Sequence, residues 1–388
     1  MKTIHIIIKS LKEQIRSFGV LLLTLSMGPF FIFVYYLITE TSKPQYDIEI
    51  VNIDKGIVID GQTYNHGKDM VSFFCETDFD INTMPFKVSE SIDKEKAIEK
   101  VKKGETDALL IIGEEFSQSA GNQLSDMTSS APVVEFTGDL TKTSYLISAV
   151  WANEVLNEFM YQLSGSKRLV EVKEIPLGSS GSMNDFQMMV PGLLIVSLIM
   201  LMFTASIAFV SEVENKTIMR LKLSKITTLQ FLAGNTIVQL ILGVTSVILT
   251  LVIALMLGYQ YSGSLLIMIL IAGLTSLSII AFSLIIAALT KTAGEVLVVG
   301  NFPMFLFMFF TGAAFPLKSA ALFTIAGYPV NLQGLMTPTH AISALNKTLT
   351  MDMSFGSIIP EITAICILTL IYFIVGAIIF KKRHLKLG

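Results

Sequence analysis

Hydrophobic positions along the chain gather into six long apolar stretches, which polar segments of very unequal length separate. A helix needs about 20 predominantly apolar residues to cross the hydrocarbon core of a bilayer. By this criterion, the predicted membrane spans cover residues 18–38, 186–210, 231–257, 265–289, 296–315 and 358–380. The polar segment 39–185 separates the first span from the rest. The pattern therefore predicts a polytopic α-helical membrane protein with six transmembrane helices in a one-plus-five layout.

The segments that flank the spans have patterns of their own. Residues 1–17 place apolar side chains at helical spacing with basic ones between them, which predicts an amphipathic helix on the membrane surface. A cleaved signal peptide is the alternative, but the first apolar stretch exceeds the 7 to 15 residues typical of such peptides. Residues 316–357 are rich in Pro and Gly and predict short external helices or a re-entrant hairpin. Residues 381–388 form a basic tail.

Lysine and arginine are distributed unevenly between the two sets of span ends. Short cytoplasmic loops collect these residues, whereas long translocated domains are exempt from the rule. One set of ends carries only Lys318 and Lys347. The other, basic set carries Lys2, Lys9, Lys12, Arg16, Lys216, Arg220, Lys222, Lys225, Lys291, Lys381, Lys382, Arg383 and Lys386. We therefore expect both termini to be cytoplasmic and residues 39–185 to be external.

The segment 39–185 alternates predicted strands and helices, which is the pattern of a small α/β domain. Residues 46–52 alternate polar and apolar side chains and lead into a turn at Gly56. The short apolar runs 108–112 and 133–136 predict two more strands. The predicted helices cover residues 91–103 and 141–163.

Composition limits the chemistry that the chain can perform. The formal net charge is −3, and no concentrated basic face is available for nucleic acid. The interiors of the predicted spans lack ionisable residues, which argues against ion-coupled transport. His66, Asp78 and Asp80 lack the spacing of metal ligands. No G-x-x-x-x-G-K-[ST] motif occurs, so this chain is expected to have no ATP site, and we predict neither catalytic residues nor a bound cofactor or metal.

The short cytoplasmic segment 211–230 mixes charged and apolar residues. It is too charged to span a membrane and too apolar to be a plain loop, so an amphipathic coupling helix parallel to the membrane fits it. Alternatively, its charges only anchor the ends of the flanking spans. Periodicity leaves both interpretations open.

This segment resembles the coupling-helix region of ABC-2 type transporter permeases, in which an acidic pair precedes a Thr and a Leu at this spacing. The resemblance extends over nearly the whole chain. The strand and turn at the start of the external domain resemble those of the subfamily with this one-plus-five layout. Lys216 and Lys225 depart from it, since the family usually has Gly and Pro at these places. The other matching segments are residues 48–56, 103–116, 190–192 and 311–316.

The resemblance implies the membrane subunit of an ATP-driven exporter in a bacterial cytoplasmic membrane. Such a subunit pairs with itself or a sister permease, and with two ABC ATPase subunits that bind ATP and Mg. The resemblance also implies contact of this chain with the ATPase subunit through one set of side chains. These are Glu212, Glu214, Thr217, Arg220 and Leu221.

The fifth span is unusually rich in aromatic residues and Met, which accommodate varied apolar ligands. Core or lipid-facing packing is the alternative interpretation of any single residue. Together with family geometry, the stretch predicts a substrate path or dimer seam at Gly192, Phe302, Phe305 and Phe309. Because the path lacks charges, an amphipathic or lipid-like substrate such as a drug, an antibiotic or a lipid is expected.

A non-transporting membrane scaffold or surface receptor is the competing hypothesis. Relatives resembling phage-infection proteins share an external domain that begins in a similar way. In a scaffold, the external domain would bind an envelope accessory protein, and segment 211–230 would only anchor the chain. A scaffold should therefore tolerate substitutions in that segment, whereas a coupled permease should not.

Overall fold

The computed structural model describes residues 2–16, 18–41, 45–59, 62–76, 86–125, 131–165, 185–215, 227–261, 263–315, 322–325 and 328–385. The chain divides into two compact units. One unit comprises Met1–Thr41 with Ile175–Gly388, and the other comprises Ser42–Glu174.

Most of the described residues are helical. In chain order the helices are α1 (Lys2–Arg16), α2 (Phe18–Thr41), α3 (His66–Glu76), α4 (Lys94–Lys103), α5 (Phe116–Ser125), α6 (Thr143–Ser164), α7 (Asp185–Glu214), α8 (Thr228–Met256), α9 (Leu265–Leu289), α10 (Ala293–Phe310), α11 (Thr337–Leu345) and α12 (Ile359–Phe380). The strands are β1 (Tyr46–Asn52), β2 (Ile57–Ile59), β3 (Gln62–Tyr64), β4 (Phe86–Ser91), β5 (Ala108–Ile112), β6 (Val134–Gly138), β7 (Phe323–Ile325) and β8 (Tyr328–Val330).

Within the described residues, six helices are long and apolar enough to cross a membrane, which confirms the one-plus-five layout. They are α2, α7, α8, α9, α10 and the helix that includes α12. A small α/β unit lies between the first and second of them in the sequence, as predicted.

Helix α7 is the centre of the membrane unit and packs against α2, α8, α9 and α10. Hydrocarbon tails are as apolar as leucine, so close packing through small residues and hydrogen bonds holds such helices together. A Cβ added to Gly28 in α2 would lie 2.2 Å from the Thr250 hydroxyl oxygen and 2.5 Å from the Ser197 Cβ. The Ser206 hydroxyl of α7 donates a hydrogen bond to the Ser283 carbonyl of α9 at 3.1 Å.

Residues between α10 and α12 form short elements. The hairpin β7–β8 is followed by a 3-10 turn (Leu332–Leu335), α11, a π-helical turn (Asn346–Thr350) and a second 3-10 turn (Phe355–Ile358). Helix α11 packs against α9 and α12. The Lys347 Nζ lies 2.6 Å from the Glu361 Oε1, and the Glu361 side chain is 1% exposed. This buried ion pair fixes the turn after α11 to the first turn of α12.

The α/β unit is built on a four-stranded sheet with the order β4-β1-β5-β6. Strand β1 is parallel to both β4 and β5, and β6 is antiparallel to β5. Every residue of β5 is buried, as expected for a strand covered on both faces. One face packs against α3, α5 and α6 around Phe74 and Trp151, and the other packs against Ala97 of α4.

Asp54, just after β1, joins the sheet to two helices. Its carboxylate accepts hydrogen bonds from the backbone N–H of Ser117 at 3.0 Å and from that of Gly67 at 3.2 Å. The Ser117 hydroxyl also donates to it. These donors lie in the first turns of α5 and α3, where helices leave backbone N–H groups unpaired and a negative charge is favourable. Asp54 therefore caps both helices at once.

Candidate functional site

The candidate coupling site lies at the end of the membrane unit where α7 ends and α8 begins. Helix α7 continues through Glu214, so Glu212 and Glu214 belong to its last turn and not to a separate coupling helix. Thr217, Arg220 and Leu221 lie outside the described residues. Helix α8 begins with a capping box, in which Thr227 and Gln230 exchange hydrogen bonds of 3.2 and 3.1 Å.

Glu212 forms a buried ion pair with α1. The Lys9 Nζ lies 2.5 Å from the Glu212 Oε1 and 3.5 Å from the Glu13 carboxylate. The Glu212 side chain is 7% exposed, whereas that of Lys9 is 40% exposed. Burial lowers the pKa of Lys9, but the hydrogen bond and the charge of Glu212 outweigh it and raise that pKa overall. The Glu212 carboxylate can lie buried in this last turn because Lys9 compensates its charge.

Helix α1 is also fixed to α8. The Ser10 hydroxyl donates a hydrogen bond to the buried Asn235 side-chain oxygen. A Cβ added to Gly234 would lie 2.5 Å from the Ile6 Cγ2, so only glycine permits this close approach. The opposite face of α1 exposes an apolar stripe of Ile4, Ile8, Leu11 and Ile15. That amphipathic arrangement fits a helix lying in the membrane interface.

Glu214 contacts a third element. Its Oε2 accepts a hydrogen bond of 3.0 Å from the backbone N–H of Ala293, the first residue of α10. A carboxylate at this position satisfies an otherwise unpaired N–H group and complements the positive end of the helix dipole. The adjacent Thr292 hydroxyl caps the same helix by accepting from the Glu295 N–H at 3.2 Å.

The last turn of α7 is therefore bonded to both α1 and α10, and α1 is bonded to the first turns of α8. Segment 216–226 connects these two anchored ends. A force applied to that segment would reach all four helices through short polar contacts. These contacts tie the end of α7 and the start of α8 to α1 and α10.

The candidate seam residues of α10 fall on an exposed aromatic face. Phe302 is 71% exposed and Phe305 is 50% exposed, whereas only Val296, Gly300 and Phe307 are buried among the described residues of this helix. The ring centroids of Phe305 and Phe309 are 4.6 Å apart. Gly192 does not lie on this face. It is buried in α7, where an added Cβ would be 2.5 Å from the Ala313 carbonyl oxygen.

Comparison with family models decides what kind of protein carries this site. The model described as ABC-2 family transporter protein matches residues 18–378, which is nearly the whole chain. The chain belongs to the ABC-2 transporter family. No curated protein matches it in a sequence comparison. Members of this family are the membrane subunits of ABC transporters.

In this ABC-2 protein, two of the segments that resemble the family in sequence, residues 190–192 and 311–316, contact each other in the structure. Gly192 of α7 packs against the backbone of Gly312 and Ala313, just after α10. Gly312 has a φ of +86°, which glycine adopts without strain. Sequence reasoning assigned Gly192 a role in a path or seam but did not identify this packing partner.

Several contacts of the ABC-2 coupling site could not be read from the sequence. Lys9 was one of several basic residues on α1, and nothing in the spacing distinguished it as the partner of Glu212. The acceptor role of Glu214 depends on a backbone N–H far along the chain. Only the presence of two acidic residues just beyond an apolar span gave a signal, because a carboxylate there needs a nearby partner.

Proposed function

We propose that the chain is the permease subunit of an ATP-driven exporter in a bacterial cytoplasmic membrane, with both termini cytoplasmic. A separate ABC ATPase subunit hydrolyses ATP, two such subunits serving each complex. The observation that carries the proposal is the family match, combined with a last turn of α7 that is tied to α1 and α10. The cargo is an amphipathic or lipid-like molecule.

Closure of the ATPase subunits would push on segment 216–226. Thr217, Arg220 and Leu221 would form the contact surface for the ATPase. Glu212 would act differently, because its carboxylate is buried against Lys9 and holds α1 in place. Glu214 would pass the displacement to α10 through Ala293. Coupling of this kind requires an element with two arrangements that both sites bias, and the polar contacts around the last turn of α7 supply that element.

The exposed face of α10 is the proposed seam between two permease copies. A two-fold interface uses the same patch of both subunits, so an aromatic stripe can pack on its own copy. Asn301 lies on this face, and its Nδ2 donates to the Leu297 carbonyl of the same helix at 2.6 Å. Its amide oxygen would accept a hydrogen bond from the other copy, since polar side chains in spans join helices. A sister permease could replace the second copy.

The cargo class follows from the chemistry of the spans. Within the described residues, the Asp, Glu, Lys, Arg and His side chains of the spans lie at the span ends, as Glu212, Glu214 and Glu361 do. A charged cargo would need charged partners inside the membrane. An apolar path along Phe302, Phe305 and Phe309 therefore suits an amphipathic drug, antibiotic or lipid.

Affinity purification of the full chain in mild detergent, followed by mass spectrometry and an ATPase assay, tests the proposal. We expect a nucleotide-binding subunit to co-purify in equal amount. The double substitution Arg220→Ala with Leu221→Ala should release it, whereas Lys12→Ala, an exposed basic residue on α1, should not. Recovery of envelope proteins through residues 39–185, without any ATPase, would favour the scaffold instead.

A further inference from the structure

An open cleft of about 500 Å³ lies on the side of the membrane unit between α8, α9 and α12. Its walls are almost entirely apolar, and this volume is within the range of pockets that hold small molecules. Representative lining residues are Leu232, Leu277, Leu284, Leu370 and Phe373. Among the described residues, the lining includes no ionisable side chain other than the Cys366 thiol. It therefore suits a hydrocarbon chain and not a polar ligand.

The depth of the cleft matches one leaflet of a bilayer. On α9 the lining extends from Leu274 to Leu284, which is roughly 15 Å at a rise of 1.5 Å per residue. The hydrocarbon core is about 30 Å thick, so one leaflet contributes about 15 Å. Helix α9 ends at Leu289, only about one and a half turns beyond Leu284. One end of the cleft therefore approaches the membrane surface at the basic end of the bundle.

A cluster of exposed cations lies at that end. The turn after α12 packs on the end of α9, where a His384 ring nitrogen lies 3.2 Å from the Ala287 carbonyl oxygen. The charges of Arg383 and Lys291 both act on the His384 ring, so both cations lie in its neighbourhood. Within the described part of the chain, no carboxylate forms an ion pair with any of the four exposed cations. They are Lys291, Lys381, Lys382 and Arg383.

We propose that the cleft and this basic cluster form one binding site for an anionic phospholipid. One acyl chain lies in the cleft, and the phosphate group lies against the basic cluster. Basic residues near span ends are common in membrane proteins and predict no site by themselves. The combination is informative because the apolar cleft runs toward the helix ends that carry the cations, with Lys291 about 10 Å beyond Leu284 along the chain. Basic pockets between spans bind acidic headgroups.

The site is separate from the exposed face of α10. None of the residues that line the cleft belongs to α10. A lipid bound here would fill the space between α8, α9 and α12 and hold these helices at a fixed spacing. The proposal therefore does not depend on the direction of transport or on the identity of the cargo.

The test uses full-length protein stripped of lipid in detergent. Phosphatidylglycerol or phosphatidylcholine is then added, and native mass spectrometry counts the bound lipids while thermal unfolding reports stabilisation. We expect one phosphatidylglycerol per chain at saturation, a higher unfolding temperature, and at least tenfold weaker binding of phosphatidylcholine.

Two kinds of variant separate the headgroup site from the cleft. Lys381→Gln, Lys382→Gln and Arg383→Gln together should abolish the preference for phosphatidylglycerol. Leu370→Trp, which fills the cleft from its exposed side, should weaken the binding of both lipids at least tenfold. Leu266→Trp is the matched control, because Leu266 is an exposed residue of α9 outside the cleft. Equal binding of both lipids, or unchanged binding in either test variant, would overturn the proposal.

Discussion

Single polar residues fix the ends of the helices in both units. Glu212 and Glu361 are buried carboxylates, and each has one lysine partner, Lys9 and Lys347 respectively. A buried ion pair contributes little net stability compared with apolar packing, but removal of one partner leaves an uncompensated charge. These pairs therefore set which elements must lie together.

The Lys9–Glu212 pair can be tested by a double-mutant cycle. Lys9→Met should lower the free energy of unfolding by about 2 to 3 kcal/mol, because Glu212 would remain buried without its cation. Addition of Glu212→Leu should restore most of that loss. Lys12→Met is the control and should change little. Glu212→Leu alone completes the cycle. Thermal unfolding in detergent compares wild type with these three variants and the control, and equal effects of Lys9→Met and the double variant would contradict this role of the pair.

Asp54 supports two helices, whereas Asp93 caps only α4. Asp54→Ala should expose the first turns of α3 and α5 to hydrogen exchange together, since each would lose the carboxylate that accepts from its backbone. The effect on α3 should be the smaller, because the Asn65 side chain still accepts from the Lys68 N–H. Asp93→Ala should affect α4 alone. Hydrogen-exchange mass spectrometry of the full chain distinguishes the two patterns. Unchanged protection of both α3 and α5 in Asp54→Ala would show that the carboxylate does not hold them.

His340 predicts a dependence of stability on pH. Burial lowers the pKa of His340 below its ordinary 6.5, although the Gly334 hydrogen bond and the charge of Glu361 act the other way. The unfolded chain therefore binds this proton more readily than the folded chain does, so stability is lost as the pH falls through about 6.5. His340→Gln should reduce the change of the unfolding temperature with pH between about pH 7.5 and 5.5. An unchanged pH profile would contradict this assignment.

At the scale of elements, the apolar pattern predicted the long helices well and the short ones poorly. Six spans were predicted and are found, because a long apolar stretch admits few other structures. Strand β1 and strand β5 also match their predicted bounds. Helix α3 was missed because its second residue is Gly67, a poor helix former. Glycine is needed there since a Cβ would lie 2.7 Å from the Asp54 Cβ.

Strand β4 and helix α5 were missed for related reasons. Strand β4 has only two apolar residues, Phe86 and Val88, which is a weak pattern for a strand. Helix α5 is polar along much of its length, and its first turn is fixed by Asp54 from a distant part of the chain. Tertiary contacts of this kind override local propensity.

Close helix packing gives a prediction at the same scale. Gly192→Ala should destabilise the protein, because the added Cβ would lie 2.5 Å from the backbone carbonyl oxygen of Ala313. Gly273→Ala in α9 is the matched control, since nothing lies within 4 Å of its Cβ position. The control should be neutral or stabilising by up to about 1 kcal/mol. Equal unfolding temperatures for the two variants would contradict the close approach.

At the scale of the whole molecule, the chain joins an α/β unit to a bundle of six spans, with a cluster of polar contacts where α7 ends. The sequence identified the family because the order of motifs along the chain is specific, whereas the coupling role of the region after α7 stays a prediction. It did not identify Lys9, Asn235 or Ala293 as partners of the region, since these contacts join distant parts of the chain. These residues come within contact distance only when the helices pack together.

Photo-crosslinking in native membranes tests the central claim most directly. A photo-crosslinking amino acid would replace Arg220 in the coupling segment, and separately Val133, an exposed residue of the α/β unit. Mass spectrometry would then identify what each position captures. Our account predicts an ABC ATPase subunit captured from position 220 and not from position 133. Capture of no ATPase from position 220, with envelope proteins captured from position 133, would contradict it.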